Sequence, residues 1–198
     1  MFERFAKRRT PAVRSWWSLV LGPIRLGADV PRVPFDALPG HGRLWVFPAD
    51  RTLTDVEARA CLEVVDEFLA SWAAHGVPLK SGRELREGRF LLVGVDVDAG
   101  TPSGCSIDAL VNRLRDFGRE LGVALIDHAP ISFRDATEIR TLSRAEFRAL
   151  AADGGIGPDV RVFDTSLTCV EQARAGALER PATETWHGQA FFRDGVRT

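Results

Sequence analysis

The chain has no tyrosine, although it holds 5 tryptophans and 12 phenylalanines; nothing physical accounts for that gap. Cysteine is scarce and odd in number. Cys61, Cys105 and Cys169 stand far apart, so they form neither a disulfide framework nor a CxxC metal knuckle. A reducing, cytoplasmic compartment is the simpler setting for such thiols. Excess charge is also missing: the formal net charge is -1, and no global field points to nucleic acid.

Several chemistry-bearing motifs are absent as well. A phosphate loop needs GxxxxGK[ST], a glycine cradle followed by a lysine for phosphate oxygens. Gly100 and Gly104 are present, but no lysine follows them. A GxGxxG dinucleotide fingerprint after a strand is missing too. The nucleophile elbow GxSxG fails because Asp108 stands where its second glycine must allow close packing. A phosphate-binding cysteine loop would close on arginine at the position that Val111 occupies.

What the chain does have is a central stretch at 89–122. Residues 90–97 are apolar except for Gly94 and Asp96, the pattern of a strand covered on both faces. Gly100, Thr101, Pro102 and Gly104 then break regular structure. From Ile107 the apolar positions are Ile107, Leu110, Val111, Leu114, Phe117 and Leu121, the spacing of one helical face. Ser103 or Ser106 caps this helix, Asp108 suits its positive end, and Gly122 stops it. Cys105 therefore stands at a helix entrance among free N–H groups, a place that favours a thiolate and binds anions.

Around that stretch the spacing predicts one domain at 43–198, preceded by an arm and a Pro/Gly linker at 1–42. Residues 4–26 combine arginines with Trp16, Trp17 and a short apolar run. The run is too short to cross a bilayer, which takes about 20 residues. It reads as an arm packing on the domain or a partner, or as a start placed too early, with surface membrane contact and an export signal as lesser alternatives. A strand is expected at 43–47. A capping box at Thr54 and Glu57 opens a helix reaching about His75, with Cys61, Val64, Val65, Phe68, Leu69 and Trp72 on its inner face. Residues 80–88 read as a polar connection, and 123–126 as a strand. A hairpin is expected across 131–142 around Asp135, Ala136 and Thr137. Ser143 and Glu146 form a second capping box, Thr168 and Glu171 a third, with Pro181 closing its helix. Residues 160–163 read as the last strand, and the apolar tail at 185–192 packs back. The fold class is α/β or α+β, a mixed sheet packed with about four helices.

Two functional readings compete. In the first, the 100–108 loop binds a small anionic ligand through Ser103, Gly104, Cys105, Ser106 and Asp108, and the domain is a non-catalytic binding or accessory module. In the second, Cys105 is a nucleophile with His75, His128 or His187 as its base, and the amides of residues 104–106 hold an oxyanion. Asp96, Asp98 and Asp108 are also considered for Mg²⁺. The favoured reading there is structural, with Asp96 paired to an arginine and Asp98 turning the loop, so no metal or cofactor is assigned. The partner is a small molecule or a protein of unknown identity.

Leu44-Trp45-Val46-Phe47, Trp72-Ala73-Ala74-His75-Gly76, Ser103-Gly104-Cys105-Ser106-Ile107-Asp108, Val162-Phe163-Asp164 and Trp186-His187 together carry a resemblance. Across residues 43–192 the chain resembles an uncharacterised bacterial family whose members often bear the label "ABC transporter ATPase". The residues contradict that label, since there is no Walker lysine and no room for a nucleotide-binding domain. The resemblance groups the motif residues and implies no reaction.

Overall fold

The computed structural model of the chain describes residues 32–192. The arm readings on residues 1–31 lie outside the described residues. In chain order the first half forms β1 (Arg43–Pro48), α1 (Asp55–Leu69), β2 (Ala73–Ala74), β3 (Val77–Pro78), β4 (Ser81–Arg86), β5 (Phe90–Val95) and α2 (Gly104–Leu121). The second half forms β6 (Ile131–Asp135), β7 (Glu138–Leu142), α3 (Arg144–Ala152), β8 (Arg161–Phe163), α4 (Val170–Arg174), β9 (Glu179–Pro181) and α5 (Trp186–Phe191). This is an α+β fold. Its three sheets are ordered β1-β5-β4, β2-β3 and β7-β6-β8-β9, with antiparallel pairing throughout. The lone parallel pairing among the described residues is the bridge from Arg32 to Ser81.

β5 sits between β1 and β4, and every residue in it is buried. Side chains alternate across a strand. Leu91, Val93 and Val95 therefore face α1 and α2, with Val65, Leu69, Leu110 and Leu114. Phe90 and Leu92 face the other way, with Phe163, Val170 and Leu178. A third cluster joins Ile131, Phe133, Phe147 and Val162, with Phe191 and Phe192 packed against it. The tail thus packs back as the sequence indicates.

α1 starts where expected: Thr54 Oγ1 accepts the Glu57 N–H at 3.3 Å, and Glu57 Oε2 accepts the Thr54 N–H at 2.9 Å. It ends at Leu69, short of the expected His75. A two-residue turn takes over, with His75 at φ 51° and Gly76 at φ 79° between β2 and β3. Positive φ at both central positions matches the strand twist, which is why Gly76 belongs there. Within the polar stretch at 80–88, residues Ser81–Arg86 form the strand β4. As a sheet edge β4 carries charge where a central strand would not, and Arg83 forks onto Asp66 at 2.8 and 2.7 Å.

Residues 123–126 are not a strand. Gly122 takes the left-handed conformation at φ 64°, and the Val123 N–H returns to the Gly118 carbonyl at 2.9 Å. The chain folds back on its own helix, so Val123 and Leu125 are buried with no strand beside them. The third capping box is displaced by one residue: Cys169 is the N-cap, and Gln172 Oε1 accepts from Thr168 N and Cys169 N. That helix, α4, ends at Arg174, and Pro181 instead closes β9, which follows the strand expected to be last. Within the expected linker, Phe35 and Leu38 are buried against the second cluster. A side chain at Gly94 would meet Leu38 Cδ1 at 2.6 Å, so Leu38 would have to shift to admit one. Packing of the domain thus begins before Gly42.

Candidate functional site

α2 is an 18-residue helix whose entrance is built by two serines. Ser103 Oγ accepts the Ser106 N–H at 3.2 Å, and Ser106 Oγ accepts the Ser103 N–H at 2.9 Å. Ser106 Oγ also donates to the Ser103 carbonyl at 2.8 Å. The Ile107 N–H is taken by the Ser103 carbonyl. Among the described residues, the N–H groups of Gly104 and Cys105 find no acceptor, as expected for a first turn.

A cleft of about 410 Å³ opens beside this turn. Ser103, Cys105 and Ser106 line it from α2, and Phe68, Trp72 and His75 from the end of α1 and the hairpin. Trp72 is fixed there because its buried indole N–H donates to the Ser106 carbonyl at 2.8 Å. Cys105 is exposed. Gly104 and Asp108 are not among the lining residues. His75 and Cys105 share the cleft, and no hydrogen bond joins them among the described residues.

His187 is elsewhere. It is 2 % exposed and stacked on Trp186 with ring centroids 3.8 Å apart. It lines a small enclosed cavity of about 40 Å³ together with Asp50, Asp127, His128 and Ser132. Burial pushes the His187 imidazole down to about 4, against an upward pull from Asp164. Burial also lowers His128, whose Nδ1 lies 3.2 Å from Thr165 Oγ1. Behind this cavity Arg89 is 4 % exposed. It donates to the carbonyls of Ala49, Asp50 and Ile139 and to Thr141 Oγ1. Sequence reasoning missed Arg89, Ser132 and Thr141. No spacing links them; their one signal is an arginine directly before a buried strand.

Asp96 pairs with Lys80 at 2.9 Å, where an arginine was expected, and this contact lowers its carboxyl pKa. Asp96 Oδ1 also accepts the Asp98 N–H, turning the loop, and Asp98 Oδ2 meets His41 Nε2 at 2.8 Å. Among the described residues, no group of three or more His, Cys, Asp or Glu side chains could hold a metal ion. No helix among them is long and apolar enough to cross a membrane. No family model matches the chain, and neither the curated proteins nor the solved structures give a match.

Proposed function

We propose that the chain is a small-ligand-binding domain that takes a small anionic group at the entrance of α2. The observation that carries this reading is the cleft of about 410 Å³ at that entrance. Its size falls in the usual range for ligand sites, about 300–1,000 Å³. The Cys105 N–H, left free by the serine caps, and the positive end of α2 favour an anion. Phe68 and Trp72 supply an apolar wall, and His75 adds a second polar edge. The resemblance across residues 43–192 adds no reaction to this reading. All three cysteines are free, which suits a cytoplasmic setting.

Inorganic phosphate is the probe. In amide NMR of the full chain, it is expected to shift the Cys105 resonance saturably and to leave Gly154, outside the cleft, unmoved. A Cys105 amide that ignores phosphate removes the proposal. The shared cleft of Cys105 and His75 keeps one rival, a thiol enzyme. Catalytic release of nitrophenol from p-nitrophenyl acetate, lost in both Cys105→Ser and His75→Ala, would replace binding by that chemistry.

A further inference from the structure

The first sheet has two edges, β1 and β4, with β5 between them. They are finished differently. β4 carries Arg83, Glu84 and Arg86, and the Val33 N–H covers its start at the Ser81 carbonyl. Charge and cover are the usual protections of a free edge. Along β1, a second segment begins to cover the strand and then leaves it. The Leu44 N–H donates to the Thr168 carbonyl and the Val170 N–H to the Gly42 carbonyl, both at 2.9 Å. These two bonds make a single antiparallel bridge, Arg43 to Cys169. One step further, Ser166 would stand opposite Val46. Instead the Thr168 N–H goes to Gln172 Oε1 at 2.8 Å, and the Ser166 N–H and hydroxyl turn to Asp164 Oδ1 at 3.0 and 2.6 Å.

The register fixes where the backbone of Val46 points. The Ala49 N–H donates to the Arg89 carbonyl, in line with the pairs Phe47–Leu91 and Trp45–Val93. In an antiparallel ladder alternate residues bond to one neighbour, and those between face the other side. Leu44 faces away from β5, as its bond to Thr168 shows. Val46 is in the same phase, so its N–H and its carbonyl both face away from β5. Neither has a partner among the described residues. A crevice of about 180 Å³ lies along this edge, lined by residues 43–47, the 165–168 segment and His128.

We propose that this crevice takes an extended peptide segment of a partner protein, added to β1 as an antiparallel strand at Val46. One extended residue supplies what Val46 lacks: a carbonyl for its N–H and an N–H for its carbonyl, the paired exchange of an antiparallel ladder. The bridge at Cys169 sets the direction, since the incoming strand continues the pairing that Ser166 abandons. Main-chain bonds of this kind give affinity, and the flanking side chains give preference. Leu44, Val46 and Leu167 belong to one buried apolar cluster, so the seated residue is uncharged; a charge there would lose its water unpaired. The site is short. Thr168 holds one end, and Pro48, with no N–H, ends the donors at the other. This edge is independent of the α2 cleft.

The probe is the capped peptide acetyl-Thr-Val-Thr-Val amide, whose residues favour strands, titrated into the full chain and read by amide NMR. It is expected to shift the Val46 amide saturably and to slow its hydrogen exchange, while the Arg83 and Leu85 amides on the β4 edge stay still. The same peptide N-methylated at every residue is expected to bind about tenfold more weakly, for want of its N–H donors. Val46→Pro removes the protein's donor at an edge position that proline tolerates, and is expected to weaken the parent peptide similarly. Equal binding of the methylated peptide overturns the proposal, as does a folded Val46→Pro chain that binds as the parent does. Equal shifts on β4 mean unselective strand pairing and overturn it too. No shift leaves the edge to water. A Val46 amide already protected without peptide means that a second copy, if protection rises with protein concentration, or another part of the chain holds the edge; either result removes the partner.

Discussion

The α2 cleft and the His187 cavity are built in opposite ways. The cleft is open and comes from two short pieces of chain, 68–75 and 103–109. The cavity is enclosed, and its walls come from the β1–α1 loop, the 127–132 segment, β7, β8 and the start of α5. The cleft keeps its thiol exposed. The cavity keeps its histidine buried and shifts its basicity. A site made from two short segments and one bond between them rests mainly on local caps, whereas one assembled from many strands and loops rests on the fold. Disturbing the second should therefore cost stability, and disturbing the first should change little else.

The largest effect is expected from Arg89→Met. Methionine fills the space but leaves the Ala49, Asp50 and Ile139 carbonyls without their donor in a buried place. Breaking such a buried polar network typically costs on the order of 3–5 kcal/mol. Denaturant melts would measure it. A midpoint within error of the parent would mean water replaces the guanidinium, and the cavity would not depend on the fold as argued.

Acid comes next. Burial holds the His187 imidazole down to about 4 in the folded chain, against an ordinary value of 6.5. Between those values the unfolded chain takes up a proton that the folded chain refuses. The stabilisation is complete above about pH 6.5 and is lost as pH falls towards 4, a change of about 3 kcal/mol if the whole shift is realised. Carboxylates that titrate lower add to the loss, so the comparison is with His187→Gln. That variant is expected to show a flatter fall over this window. Parallel curves would mean the ring is wetter than its burial implies.

Trp72→Phe tests the cleft. It removes one buried indole hydrogen bond to the Ser106 carbonyl, worth about 1 kcal/mol. The ring stays, so the wall persists while its position relaxes. A loss as large as that of Arg89→Met would erase the contrast between the two sites.

The contrast also explains what was legible. The Ser103 cap and the apolar face of α2 follow from local chemistry and are found in place, whereas Asp108 lies past the first turn of α2, which holds no acidic residue. β5 was legible because a run buried on both faces is almost wholly apolar. β4 was not, because as an edge strand it carries the half-buried Arg83, Glu84 and Arg86 and reads as a loop. The end of α1 was misread because Trp72 continues the apolar spacing, yet its indole partner is Ser106, 34 residues away. His187 drew attention beside Trp186, but Ser132 and Thr141, which line the same cavity, are brought together only by the pairing of β6 with β7. Such a site leaves no spacing in the chain.

The three thiols offer the finest test, with no expected change in stability. Cys105 is exposed at the entrance of α2, beside an open cleft. Cys169 is partly covered as the N-cap of the short α4. Cys61 is fully buried on the inner face of α1, where burial pushes its thiol up to about 11. Iodoacetamide needs both access and thiolate. The expected order in the folded chain is Cys105, then Cys169, with Cys61 reacting only on unfolding. Peptide mapping after timed alkylation reads each site separately. Inorganic phosphate should slow Cys105 alone, because an anion seated on its amide blocks the approach to the sulfur. If Cys169 reacts first, access at α2 is narrower than the cleft implies. If Cys105 reacts only after unfolding, the cleft is closed in solution. The anion seat and the thiol chemistry would then fall together, leaving the serine caps as packing for α2.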